Sequence, residues 1–192
     1  APDWPEAARL DALARIEREA EKMNELIGQI LSLSRLDAQS GELKTESIDL
    51  VELLQQVVED ANFESRRQRV TLAAAHAGEV RGNRLLLASA IENVVRNALK
   101  YSPEAEAVEV RLQGHAAYCE ISVCDHGPGV AADRLETIFE PFTRLDEARQ
   151  SELGGHGIGL ALARKVMQKH GGSINARNRS SGGLCVSLQL PA

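Results

Sequence analysis

The sequence predicts an α/β protein, a two-layer α/β sandwich with a mixed sheet, preceded by one long helix. Three observations predict it. Apolar residues recur at alternating steps of three and four through the first 38 positions. From residue 46 onward, strand-like and helix-like patterns alternate irregularly, which favours a mixed sheet with helices on one face. Hydrophobic residues make up 43% of the 192, enough to build one core of ordinary size plus a smaller element.

The long helix spans residues 5–38. Leu13, Ile16, Ala20, Met23, Ile27 and Ile30 form a heptad-like seam, and Glu17, Arg18, Glu21, Lys22 and Glu25 cover the other faces. Such a seam asks for a partner helix; the competing reading is a surface helix packed on its own domain. Gly41 then breaks the helix. Asp49 is placed to cap a second helix with apolar positions Val51, Leu54, Val57, Val58 and Ala61. A short strand is predicted at 69–74. A helix follows over 84–101, with Leu87, Ile91, Val94, Val95 and Ala98 on one side. Val108, Val110 and Leu112 alternate as a strand, as do Cys119, Ile121 and Val123. Residues 131–139 suggest a short helix. Residues 143–156 are polar and charged and end in glycines, the pattern of a mobile loop. A helix at 158–169 and strands near 173–178 and 184–190 close the chain.

The net charge of −6 argues against a broad nucleic-acid footprint, which needs clustered Lys and Arg. Nothing approaches the ~18 consecutive apolar residues of a membrane span, and no signal peptide is expected. The three cysteines, Cys119, Cys124 and Cys185, match no metal spacing and are expected as buried or half-buried thiols in a reducing compartment. The opening Ala1-Pro2-Asp3 has no initiating Met, which points to a piece of a longer protein.

Four segments carry candidate chemistry. In Glu92-Asn93-Val94-Val95-Arg96-Asn97-Ala98-Leu99-Lys100-Tyr101-Ser102, helical spacing puts Asn93, Asn97 and Lys100 on one side. An amide oxygen is a hard ligand suited to magnesium, and an ammonium beside it would neutralise phosphate charge. A solvated polar face is the plainer alternative. In Asp125-His126-Gly127-Pro128-Gly129, a carboxylate follows a strand, and two glycines would let backbone approach a flat ligand. A carboxylate only accepts hydrogen bonds, so it suits the exocyclic amine of adenine and repels the carbonyl oxygen that guanine has there. Phe139-Glu140-Pro141-Phe142-Thr143-Arg144 reads as a hydrophobic hinge anchoring the loop that follows. Gly154-Gly155-His156-Gly157-Ile158-Gly159-Leu160 leads into a helix whose N-terminus can receive an anion, although no P-loop pattern closes it.

The order of these segments resembles the N, G1, F and G2 boxes of the sensor histidine kinases, within the superfamily of DNA gyrase, heat-shock chaperone and mismatch-repair ATPases. The likeness covers about residues 46–190, and the preceding helix is similar to the family's second dimerisation helix. It implies a Bergerat-type ATP-binding fold, with ATP and magnesium as ligands. Carried over residue by residue, it implies that Asn97 binds magnesium, with Asn93 beside it. Lys100 would meet phosphate and Tyr101 would pack near the nucleotide. Asp125 would hold the adenine amine in a pocket shaped by Gly127 and Gly129. Gly155, Gly157 and Gly159 would offer backbone to the phosphates, with Leu160 following and Arg144 reaching in from the lid. His156 stands where Thr or Ser is often found.

The ATP-hydrolysing relatives carry a Glu four residues before the magnesium Asn, as general base for water. Here that position is Asn93, so the resemblance implies phosphoryl transfer to a histidine, then to an Asp of a response-regulator receiver domain. A gyrase-like conformational ATPase and a nucleotide-binding scaffold without kinase activity are the alternatives. The likeness divides the chain into residues 1–40, the C-terminal helix of a dimerisation hairpin, and 41–192, the catalytic domain. None of His76, His115, His126, His156 and His170 lies in the N-terminal helix, so the acceptor histidine belongs to a first hairpin helix that is expected to be absent. The intact kinase would be a homodimer, and this part the cytoplasmic portion of an inner-membrane sensor.

Overall fold

The structure is a computed structural model, and it describes residues 5–38, 43–75, 79–143 and 157–192. Helix α1 covers Glu6–Ala38. Its seam is turned outward: Leu13, Ile16, Met23, Ile27 and Ile30 are all exposed. The predicted break at Gly41 lies outside the described residues.

Strand β1 (Glu46–Asp49) leads directly into α2 (Leu50–Glu64). Asp49 is the cap, as expected: its carboxylate accepts the backbone N–H of Val51 at 2.8 Å and of Glu52 at 3.3 Å. Strands β2 (Val70–Ala74) and β3 (Glu79–Gly82) precede α3, which spans Arg84–Tyr101 as predicted. Asn83 caps α3 by accepting from Leu86 N–H at 3.1 Å. β4 (Val108–Gly114) and β5 (Tyr118–Cys124) follow, then α4 (Gly159–Lys169), β6 (Ser173–Asn178) and β7 (Leu184–Pro191).

Five strands form one mixed sheet in the order β2-β4-β5-β7-β6. Only β2 and β4 pair in parallel; the other neighbours are antiparallel. The faces of the sheet separate by residue parity. Val110, Leu112, Ile121, Val123, Val186 and Leu188 are buried, and α2, α3 and α4 cover that side. The opposite face carries polar pairs such as Glu120 with Gln189 and Ser122 with Ser187. This is the two-layer arrangement the sequence predicts.

Three details differ from the sequence reading. β1 and β3 pair as a separate two-stranded sheet, Ile48 opposite Val80. Four residues each are too few for a period of two to show. The short helix expected over 131–139 is instead two 3-10 turns, Ala132–Arg134 and Thr137–Phe139. Neither has a capping side chain, and Pro141 follows. Cys124 and Cys185, expected as thiols, form a disulfide. Register brings them together: they stand opposite in β5 and β7 with Cα atoms 4.1 Å apart, although they are 61 positions apart in the chain. Cys119 is buried and outside the disulfide, and burial pushes its thiol pKa up.

Candidate functional site

Asp125 continues β5 by one residue. Parity points its side chain to the helical side, with Cys119, Ile121 and Val123. It is only 4% exposed. Its backbone N–H donates to Leu184 O at 2.9 Å. Its carboxylate accepts from Gly127 N–H at 2.8 Å and from Leu184 N–H at 3.0 Å. Both donors reach Oδ1, and Oδ2 has no donor among the described residues. Within an otherwise buried residue, one oxygen is thus left open to accept an outside N–H. The exocyclic amine of adenine fits that need, whereas a carbonyl oxygen would be repelled.

Helix α3 supplies the polar side chains. The Nδ2 of Asn93 donates to Ser89 O at 2.8 Å, one turn back on the same helix. Its Oδ1 lies against Gly159, at the start of α4. Asn97 is half-buried, and its side chain makes no hydrogen bond among the described residues. The Lys100 ammonium sits 5.0 Å from the centre of the Tyr101 ring. The end of α3 is seated on the Asp125 turn. A Cβ at Gly127 would come within 2.7 Å of Tyr101 O, and His126 N–H donates to the buried Ser102 hydroxyl at 3.3 Å. The magnesium-type amide and the adenine-type carboxylate therefore belong to one packed unit.

The glycine segment closes the other side. Phe139 is buried in the core, while Phe142 is exposed with φ 64°. Phe142 N–H donates to Gly157 O at 2.9 Å, which ties the described residues on either side of 144–156. Gly157 has φ +72°, and a Cβ there would meet Thr143 O at 2.7 Å, so this junction requires glycine. Gly159 opens α4 with no side-chain cap. The first-turn N–H groups of that helix can therefore receive an anion. Leu160 packs partly buried against the core. Arg144, Gly155 and His156, with the predicted loop beyond Thr143, lie outside the described residues.

These residues fit a nucleotide with its metal. Asn97 offers a hard oxygen, Lys100 a positive charge, the α4 terminus amide donors, and Asp125 an acceptor. Sequence reasoning missed Leu184, Ser102, Asn178, Arg179 and Gly183, which hold the Asp125 turn. The one signal was the pair Gly182-Gly183 ahead of the last strand.

The family model described as histidine kinase-, DNA gyrase B-, and HSP90-like ATPase matches residues 82–192, more than half of the chain. The chain is 38% identical over 182 residues to the sensor histidine kinase CpxA of Escherichia coli strain K12, an alignment covering 93% of this chain and 39% of that protein. It is 36% identical over 180 residues to the sensor protein PfeS of Pseudomonas aeruginosa, covering 93% of this chain and 40% of that one. The chain thus spans well under half the length of these curated relatives. Among solved structures, the mycobacterial sensor histidine kinase MprB superposes with a TM-score of 0.65 at 29% identity, over 76% of this chain and 96% of that one. Full-length ShkA in complex with AMPPNP superposes with a TM-score of 0.77 at 26% identity, over 94% of this chain and 38% of that one. The chain belongs to the family of histidine kinase-, DNA gyrase B- and HSP90-like ATPases, and its sheet with α2–α4 is an ATP-binding catalytic domain of the histidine kinase type.

Proposed function

We propose that this chain transfers the γ-phosphoryl group of Mg-ATP to a histidine on a dimerisation domain, from which it passes to an Asp of a response-regulator receiver domain. The observation that carries the reading is the buried Asp125 carboxylate, whose Oδ2 is left open to the adenine amine. Asn97 would hold magnesium, which supplies charge neutralisation at the phosphates. Asn93 would stand beside it, Lys100 and Arg144 would meet phosphate, and Tyr101 would pack near the nucleotide. Gly127 and Gly129 shape the adenine pocket. Gly155, Gly157 and Gly159 would offer backbone to the phosphates, with Leu160 following.

Transfer rather than hydrolysis is supported at Asn93. Its Nδ2 is committed to Ser89 O, and an amide takes no proton from water at neutral pH. Residues 1–40 would be one helix of a dimerisation hairpin and 41–192 the catalytic domain. The outward seam of α1 supports a homodimer in the intact kinase. The likeness to sensor histidine kinases supports a place as the cytoplasmic part of an inner-membrane sensor; among the described residues no helix is long and apolar enough to cross a membrane. The net charge of −6 supports no role in nucleic-acid binding.

Calorimetric titration with Mg-ATP and Mg-GTP tests the reading. ATP should bind with micromolar to millimolar affinity and GTP about tenfold or more weaker, since an unpaired buried group costs about 1–3 kcal/mol. Equal affinities would remove Asp125 from its role.

A further inference from the structure

The turn that carries Asp125 is held from outside the nucleotide pocket by two consecutive residues at the β6–β7 hairpin. Arg179 grips its start. One guanidinium nitrogen, Nη1, donates to Asp125 O at 3.0 Å and lies 3.3 Å from His126 Nε2. The other, Nη2, donates to Glu109 Oε1 at 3.0 Å, which fixes the guanidinium plane. His126 Nδ1 lies 3.2 Å from Ala107 O, so a proton on Nδ1 leaves Nε2 to accept from Arg179. Asn178 grips the end of the turn. Its Nδ2 donates to Val130 O at 2.6 Å, and its Oδ1 accepts Val130 N–H at 2.9 Å. Gly129, at φ +74°, comes so close that a Cβ would lie 2.8 Å from Asn178 Oδ1.

We infer that Asn178 and Arg179 are positioning residues that set the affinity and base selectivity of the nucleotide site without touching the nucleotide. The inference rests on the reading of Asp125 as the adenine acceptor. The guanidinium holds the Asp125 carbonyl while the carboxylate is aimed into the helical layer. Fixing the backbone at both ends of the turn therefore fixes where Oδ2 points. Selectivity between bases depends on that aim, because a displaced oxygen loses the amine of adenine and no longer repels the carbonyl of guanine. Arg179 is joined to Glu109, so its removal also leaves a carboxylate without its main partner; Asn178 is exposed, and its substitution leaves the core alone.

The test is calorimetric titration of the chain with Mg-ADP and Mg-GDP, alongside the melting midpoint without nucleotide. Asn178→Ala and Arg179→Ala should each weaken Mg-ADP by about five- to tenfold and narrow the ADP-to-GDP preference, each having lost anchoring hydrogen bonds. Arg179→Lys should recover part of the loss, and Asn178→Asp, which keeps only the acceptor, should fall between. A lowered midpoint with unchanged ADP affinity and unchanged preference, in both alanine variants, would show a purely structural role and overturn the inference. Failure of the unsubstituted chain to bind either nucleotide would overturn the nucleotide-site reading itself, and the inference with it.

Discussion

Gly159 lies against the side chain of Asn93, so close that a methyl group at 159 would stand 2.8 Å from Asn93 Oδ1. This contact joins the first turn of α4 to the polar side of α3. The Asn93 amide cannot swing away without giving up its bond to Ser89 O. Gly159→Ala should therefore cost about 1 kcal/mol of stability in the native background. With Asn93→Ala present the obstruction is gone, and alanine's better helix propensity should make the same change neutral or slightly stabilising. Urea unfolding of the double-mutant cycle measures the coupling. Equal effects in both backgrounds would show that the two residues do not press on each other.

Two neighbouring glycines separate conformational strain from collision. Gly182 has φ +88° and a methyl group there would meet nothing within 4 Å, whereas Gly183 has φ +99° and a Cβ there would lie 2.1 Å from Asp125 O. Gly182→Ala should cost about 1–2 kcal/mol, the left-handed penalty alone. Gly183→Ala must also push back the backbone carbonyl of Asp125, and should cost about 3 kcal/mol or more. Denaturant midpoints rank the two; similar losses would mean that the hairpin yields without disturbing Asp125.

Glu109 gives the outer network a pH signature. Burial works to raise its carboxyl pKa, but the hydrogen bond and charge of Arg179, with Arg111 beside it, outweigh burial and hold it below the ordinary value. A carboxylate lowered on folding stabilises the protein fully above its unfolded value, about 4.3, and loses that contribution as pH falls through the folded value. Glu109→Gln should therefore flatten the decline in stability below about pH 4.5, while changing little of the shape of the profile near neutrality. The measurement is urea unfolding across a range from about pH 3 to about pH 7. An unchanged acid limb would remove Glu109 from the balance.

The sequence made α3 readable because the stripe from Leu87 to Ala98 marks its buried side, although its cap, Asn83, was found only in the structure. It also exposed Asn93, Asn97 and Asp125 through local spacing. The clamp of Arg179 on Asp125 was hidden, since the two stand 54 positions apart in the chain and only the β5–β7 pairing brings them together. The disulfide of Cys124 and Cys185 was hidden for the same reason. β1 and β3 escaped because a four-residue strand carries too little periodicity to stand out. Local pattern shows which residues share an element; register, which decides what faces them, is a property of the assembled sheet.

Phosphoryl transfer itself is the most direct test of the proposed activity. The chain is mixed with γ-labelled Mg-ATP and a separate protein bearing a complete dimerisation hairpin with its acceptor histidine. Acid-labile phosphate is then followed on each polypeptide. Label should appear slowly on the hairpin histidine, because the two domains are untethered. The chain itself should gain none, since its five histidines all lie outside α1. Asn97→Ala should abolish the transfer while leaving the fold intact. Stoichiometric label on His115, His170 or another histidine of this chain, or normal transfer by Asn97→Ala, would contradict the assignment.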